Sequence, residues 1–311
     1  IQIAIKKVPG LIPAYMLAAK AKTIMGDMNG AIQSLKKSLE MDPKNEEAHI
    51  LQAIIVYSNG NIESAYSSIK EALANNFDID RNPFFMMIKG QIEFEMGNQE
   101  EGLKTLSKAY NLPGVQIPEE KEQISKNRYM SIIGFNDNIR AQIFVYYAKA
   151  LSRAGEVTKA KAVIEASMME FAGTDEEPIV LLGNADIQII SGDLKKALGI
   201  LNSVEPNAKA YMEARKKLAD IYLNEMKQRR QYAKCYQDLA DNFPTFENIK
   251  LYGDALMKIL EPEDAIKVYQ EALDIEPQNM ALIREIGKAM ATTHYYQRAL
   301  DYYEEKTAEF P

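Results

Sequence analysis

The chain has 311 residues, of which 47% are hydrophobic and 26% charged, proportions that fit a folded protein with a sizeable core. Its net charge of −7 argues against nucleic acid as a principal partner, because binding phosphates needs a clustered excess of Lys and Arg. No apolar run approaches the roughly 18–20 residues that span a bilayer, no signal-peptide pattern is present, and the single cysteine, Cys235, excludes an internal disulfide and fits a reducing compartment.

In chain order, Ile1–Lys7 reads as the last turns of a helix belonging to a preceding repeat, and residues 1–11 are assigned to it. The first complete unit follows from Ile12 to Asn45. One helix is built around Tyr15, Ala18 and Ala19, a turn falls at Gly26–Asp27, and a second helix carries Ala31, Leu35 and Leu39 before Pro43. Ala19 and Ala31 are small where two packed helices cross, since bulk there would force the backbones apart. Gly26 can take the left-handed conformation that closes a helix, and Asp27 can cap the next one.

The same rhythm returns with Ala53, Gly60 and Ala65, and Gly26 and Gly60 lie 34 residues apart, the period of the tetratricopeptide (TPR) repeat. Later crossing residues of the first helices are Gly90, Ala148, Ala185, Ala219, Gly253 and Gly287, and those of the second helices are Gly102, Ala160, Ala197, Ala265 and Ala299. The expected fold is therefore all-α, a right-handed superhelical solenoid of TPR helical hairpins running continuously over 1–311. Three repeats are expected in 12–114, an irregular insertion in 115–137 and five repeats in 138–311. With no initiator Met and an end at Pro311, the chain reads as a piece of a longer solenoid.

Three irregularities interrupt the pattern. Gly97 and Gly155 lie 58 residues apart, which leaves the insertion with a short helix expected from Pro118. The sixth unit lacks its turn glycine and has the stretch Asn224–Gln231 instead. The seventh and eighth replace that glycine by Leu260 and His294, with Pro262 helping to make the seventh turn.

Catalytic and cofactor signatures are absent: there is no G-x-G-x-x-G, Walker A, H-E-x-x-H or G-x-S-x-G pattern. His49 and His294 fall in distant repeats, so they are not expected to share a metal, and His49 reads as a helix-packing residue. Cys235 lies in the apolar stretch Tyr232–Tyr236 and reads as core. No enzyme, cofactor or metal site is expected. Two surfaces are candidates for holding partners. One is an apolar row facing the groove of units two and three, Ile50, Ile54, Tyr57, Phe84, Met87 and Phe94, suited to a helix or extended peptide. The other is the basic cluster Lys227, Arg229, Arg230 and Lys234, suited to an acidic partner or an anionic membrane. The two-carboxylate clamp of chaperone adaptors is broken, because Lys20 is followed at equivalent positions by Ile54 and Gln91.

Four segments carry a more specific likeness: Gly253–Ala265 with its Leu260–Glu261–Pro262 turn, Ile286–Ala289 with Thr293–Tyr295, Leu218–Leu223, and Asn184–Asp186 before Gly192–Asp193. From about Glu165 to Pro311 the chain resembles the tetratricopeptide repeat protein 21 family, the long solenoid subunit of intraflagellar transport complex A. The resemblance implies a non-catalytic scaffold for retrograde ciliary transport and cargo trafficking, located in the cytoplasm and cilium (axoneme and basal body). The implied partners are the complex's other subunits, WD-repeat and helical-repeat proteins, together with ciliary membrane cargo adaptors. The alternative is a generic TPR adaptor that binds a peptide or helix of a client protein in its concave groove.

Overall fold

A computed structural model of the chain describes residues 2–112, 114–116, 136–293 and 296–309. The expected helix from Pro118 and the turn residue His294 lie outside these. Among the described residues every regular element is helical, and the contacts group into two compact units, Ile1–Gly192 and Asp193–Pro311.

The first unit holds α1 (Gln2–Lys7), α2 (Ile12–Ile24), α3 (Met28–Met41), α4 (Glu46–Ser58), α5 (Ile62–Asn75), a 3₁₀ turn (Phe77–Arg81), α6 (Pro83–Glu95), α7 (Gln99–Tyr110), α8 (Asp137–Arg153), α9 (Val157–Glu170) and α10 (Glu177–Ile190). Successive helices pair as hairpins: α2 packs on α3, α4 on α5, α6 on α7 and α8 on α9. The crossing residues Ala19, Ala31, Ala53, Ala65, Ala148 and Ala160 are all fully buried. Between α6 and α7 even alanine is too large. A Cβ on Gly102 would lie 2.9 Å from the Gly90 carbonyl oxygen and from the Phe94 nitrogen, both backbone atoms that cannot yield.

The turns at Gly26, Gly97 and Gly155 share one hydrogen-bond scheme. At the first, Gly26 takes φ 79°, Gly26 N–H donates to Thr23 O, and Asp27 N–H donates to Lys22 O. This Schellman closure satisfies carbonyls that the helix end leaves free. Asp27 then accepts from Gly30 N–H at 2.9 Å and caps α3, as Asn61 and Asp193 cap their helices.

The second unit holds α11 (Leu194–Asn202), α12 (Tyr211–Asp220), a π turn (Ile221–Glu225), α13 (Arg229–Asn242), α14 (Phe246–Lys258), α15 (Pro262–Ile275), α16 (Met280–Thr292) and α17 (Tyr296–Glu309). At the seventh turn Leu260 occupies the left-handed position, with φ 68°, and keeps the scheme: Leu260 N–H donates to Met257 O and Glu261 N–H to Leu256 O. Pro262 is the first residue of α15, where its missing N–H costs nothing. The sixth turn differs in kind. The π turn takes up one extra residue, so the left-handed residue is Lys227 (φ 57°) and the closing bond is Gln228 N–H to Tyr222 O, one residue longer. Tyr232, four residues beyond Gln228, stands where the regular hairpins place a small residue.

In the last two hairpins the crossing residue and its opposite number exchange volume. Gly253 faces the ring of Tyr269 and Gly287 the ring of Tyr303, each so closely that an added Cβ would overlap the ring. In the first two hairpins the residues at the same spacing are alanine and the shorter Leu35 and Ile69, buried in the same core clusters.

Candidate partner-binding groove

The first helices of each hairpin carry the groove. The residue after each crossing position projects to the same side, giving Lys20, Ile54, Gln91 and Lys149 along α2, α4, α6 and α8. Lys20 is engaged with Glu47 at 2.6 Å, which removes it further from a carboxylate clamp.

The apolar row does not form an open surface. Ile50, Met87 and Phe94 are buried at 3%, 2% and 8% exposure, and Ile54, Tyr57 and Phe84 are half-buried against the same core. Neighbouring first helices in this unit approach closely enough that apolar groove residues fill much of the space between hairpins. Tyr57 and Phe94 line a cavity. It measures about 150 Å³ and lies between α4, α6 and α8, with Gln91, Glu95, Tyr146, Lys149 and Arg153 among its walls. Sequence reasoning missed these polar residues, although Gln91 and Lys149 share the repeat offset of Lys20.

Electrostatically the cavity is mostly settled. Tyr57 Oη–H donates to Glu95 Oε1 at 2.6 Å, and burial together with that carboxylate pushes the phenol's pKa up, so it stays a protonated donor. Lys149 Nζ meets Asp186 Oδ2 at 2.5 Å. Arg153 lies over the Phe94 ring, 5.7 Å from its centroid.

In the second unit Lys227, Arg229, Arg230 and Lys234 are all exposed. Arg229 and Arg230 open α13, the end where the helix dipole disfavours cations by about 0.3–1 kcal/mol each. None of the four forms a salt bridge among the described residues. His49 is buried with its Nε2 2.8 Å from Pro43 O, a helix-packing role. Cys235 is buried, and burial pushes its thiol up to about 12. Among the described residues no cluster of three His, Cys, Asp or Glu side chains could hold a metal, and no helix is long and apolar enough to cross a membrane.

A family model described as the tetratricopeptide repeat protein 21 ARM repeat matches residues 77–239, and one for that protein's second ARM domain matches residues 1–60. Tetratricopeptide repeat protein 21B of Mus musculus is 36% identical over 304 residues, covering 98% of this chain. The chain belongs to the tetratricopeptide repeat protein 21 family. The human 21B protein is 34% identical over the same share, and the Caenorhabditis elegans homologue of tetratricopeptide repeat protein 21 is 28% identical over 94% of the chain. The chain spans 23% of the length of the mouse and human proteins. Among solved structures, yeast Tom70 aligns over 97% of this chain and 57% of its own (TM-score 0.57, 15% identity). PilW, a type IV pilus biogenesis factor, aligns over 80% and 98% (TM-score 0.51, 16% identity). At these identities they show the fold alone, an all-α TPR solenoid. Family and fold together make this member of the tetratricopeptide repeat protein 21 family a helical-repeat, protein-binding scaffold.

Proposed function

We propose that this chain is a non-catalytic scaffold segment of intraflagellar transport complex A, supporting retrograde ciliary transport and cargo trafficking through protein–protein contacts in the cytoplasm and cilium. The observation that carries the reading is the match to tetratricopeptide repeat protein 21B along 98% of the chain. Its partners would be the complex's other WD-repeat and helical-repeat subunits and ciliary membrane cargo adaptors. The exposed cluster Lys227, Arg229, Arg230 and Lys234 is offered as a docking surface for acidic stretches of such partners.

A second reading, a generic TPR adaptor that takes a client peptide, is favoured by the cavity between α4, α6 and α8. Affinity purification of the full-length protein, with identification of co-purifying subunits, separates the two. Stoichiometric recovery of the transport complex supports the first reading. Recovery of client proteins without any transport subunit overturns it.

A further inference from the structure

The turns at Gly26, Gly60, Gly97, Gly155 and Gly192 place glycine at positive φ, and the sixth and seventh turns do not. Lys227 (φ 57°) and Leu260 (φ 68°) are the only side-chain-bearing residues at positive φ among the described residues. A Cβ in that conformation crowds the backbone, a strain that glycine avoids. Packing does not offset it here, because Lys227 is exposed and Leu260 is 76% exposed. The fold itself gains nothing from either side chain, which directs attention to what lies outside it.

The two turns share one edge of the second unit. α13 and α14 pack against each other, and Lys258, the last residue of α14, reaches back over the Tyr232 ring near the start of α13, 5.3 Å from its centroid. Leu260, two residues beyond Lys258, is thereby set beside the start of α13. From Met226 to Lys234 the chain carries four cations and no acid, although its net charge is −7, and Lys258 adds a fifth. All five are exposed, and none forms a salt bridge among the described residues. Arg229 and Arg230 stand where the helix dipole disfavours cations, so helix stability does not account for them either.

Beyond Leu260 the surface changes sign, since Glu263 and Asp264 open α15. A flat anionic bilayer laid on this edge would meet those acids together with the cations. A single chain can follow the cations and end at Leu260. Carboxylates are the anions such a chain offers, and guanidinium groups take them through paired N–H donors. An exposed leucine beside them is matched by one large apolar residue. Packed helix axes lie about 8–10 Å apart, and Arg229 to Lys234 covers about 7.5 Å along α13, so the footprint suits roughly five extended residues at about 3.3 Å each.

We propose that the edge formed by the sixth and seventh turns binds a short acidic segment of a partner protein. Its Asp and Glu carboxylates lie on Arg229, Arg230 and the lysines beside them, while one large apolar residue covers Leu260. The proposal rests on the reading of the basic cluster as a protein-docking surface, and adds to it Lys258, Leu260 and the apolar residue that the partner carries.

The test pans a random dodecapeptide phage library against the 311-residue chain. The enriched peptide is then titrated by calorimetry into the parent chain, Leu260→Gly, and the double variant Arg229→Gln, Arg230→Gln. Enriched peptides should carry two or more acids and one large apolar residue. The double variant should weaken binding at least tenfold and Leu260→Gly about fivefold, and Leu260→Gly should have no further effect on a peptide whose apolar residue is replaced by serine. Raising salt from about 0.05 to 0.3 M should weaken the parent's binding several-fold and leave the effect of Leu260→Gly standing. Both variants should melt at or above the parent, since each relieves a backbone or dipole strain, so lost binding is not unfolding. No enrichment, peptides without acids, or full affinity for either variant would overturn the proposal. So would pelleting with phosphatidylserine vesicles that the double variant loses and no enriched peptide displaces, which would give the edge to a membrane. If Leu260→Gly alone keeps full affinity, the basic cluster stands as a docking surface and the extension to the seventh turn falls. Co-purification from full-length protein judges the assembly separately, so a failed titration beside a recovered transport complex counts against this edge only.

Discussion

Replacing Arg140 by methionine should destabilise the first unit by about 3 kcal/mol. Its side chain is only 6% exposed, and three acceptors share it. Nε donates to the carbonyl of the buried Val115 at 3.0 Å, one terminal nitrogen meets Asp137 at 2.7 Å, and the other meets Glu170 on α9. The guanidinium also lies 5.4 Å from the Phe171 ring centroid. The terms differ in weight. An orphaned buried carbonyl costs about 1–3 kcal/mol. Asp137 is 63% exposed and adds almost nothing. Glu170, at 24%, rehydrates in part, so its loss falls below the 3–5 kcal/mol of a fully buried pair, and the lost ring contact is worth about 0.5–1 kcal/mol. Because unfolding of a repeat array need not be two-state, the assay is hydrogen exchange by mass spectrometry, read segment by segment. Protection should fall near Val115, in α8 and in the end of α9, and hold in 193–311. Arg140→Lys should recover less than half of the loss, since one ammonium cannot reach three divergent acceptors. Unchanged exchange around Val115 in Arg140→Met would refute the reasoning.

Three further outcomes are expected. Leu260→Gly should stabilise the second unit by about 0.5–1 kcal/mol, because it relieves a left-handed residue that is 76% exposed and gives up little burial; a lower melting temperature would contradict this. Gly253→Ala should destabilise by about 1–3 kcal/mol through overlap with Tyr269, and the double change Gly253→Ala, Tyr269→Leu should regain most of it in urea unfolding; additive losses would show the ring is not the cause. Cys235 should resist thiol-specific reagents at pH 8 until the chain unfolds. Its folded thiol titrates near 12 against 9.0 when exposed, so only the unfolded state loses the proton between those values, and its contribution to stability is whole below pH 9 and falls as pH rises towards 12; Cys235→Ala should flatten that decline.

The turns were legible because one residue type carries them. Gly26, Gly60, Gly97, Gly155 and Gly192 all take positive φ, and Asp27 and Asn61 cap as their chemistry demands. The sixth turn was not legible in detail: nothing in Ile221–Glu225 encodes a π turn, or marks Lys227 as the residue left in a glycine's conformation. The burial of the groove row was not legible for a different reason. Helical spacing places Ile50, Met87 and Phe94 on one side of their helices, but whether that side meets solvent depends on how closely the next hairpin packs, a distance no single repeat records.

The exchange of volume between Gly253 and Tyr269, and between Gly287 and Tyr303, bears on how such an array can evolve or be engineered. By outline the hairpins are interchangeable parts, and shuffling them is the obvious way to lengthen or re-aim a scaffold. Yet a second helix bearing Tyr269 set against Ala19 would meet a methyl where its ring needs empty space, and one bearing Leu35 set against Gly253 would leave a void. Recombination within this array is therefore tolerated between hairpins and punished inside them, so the heritable module is the matched pair of helices and never the single helix.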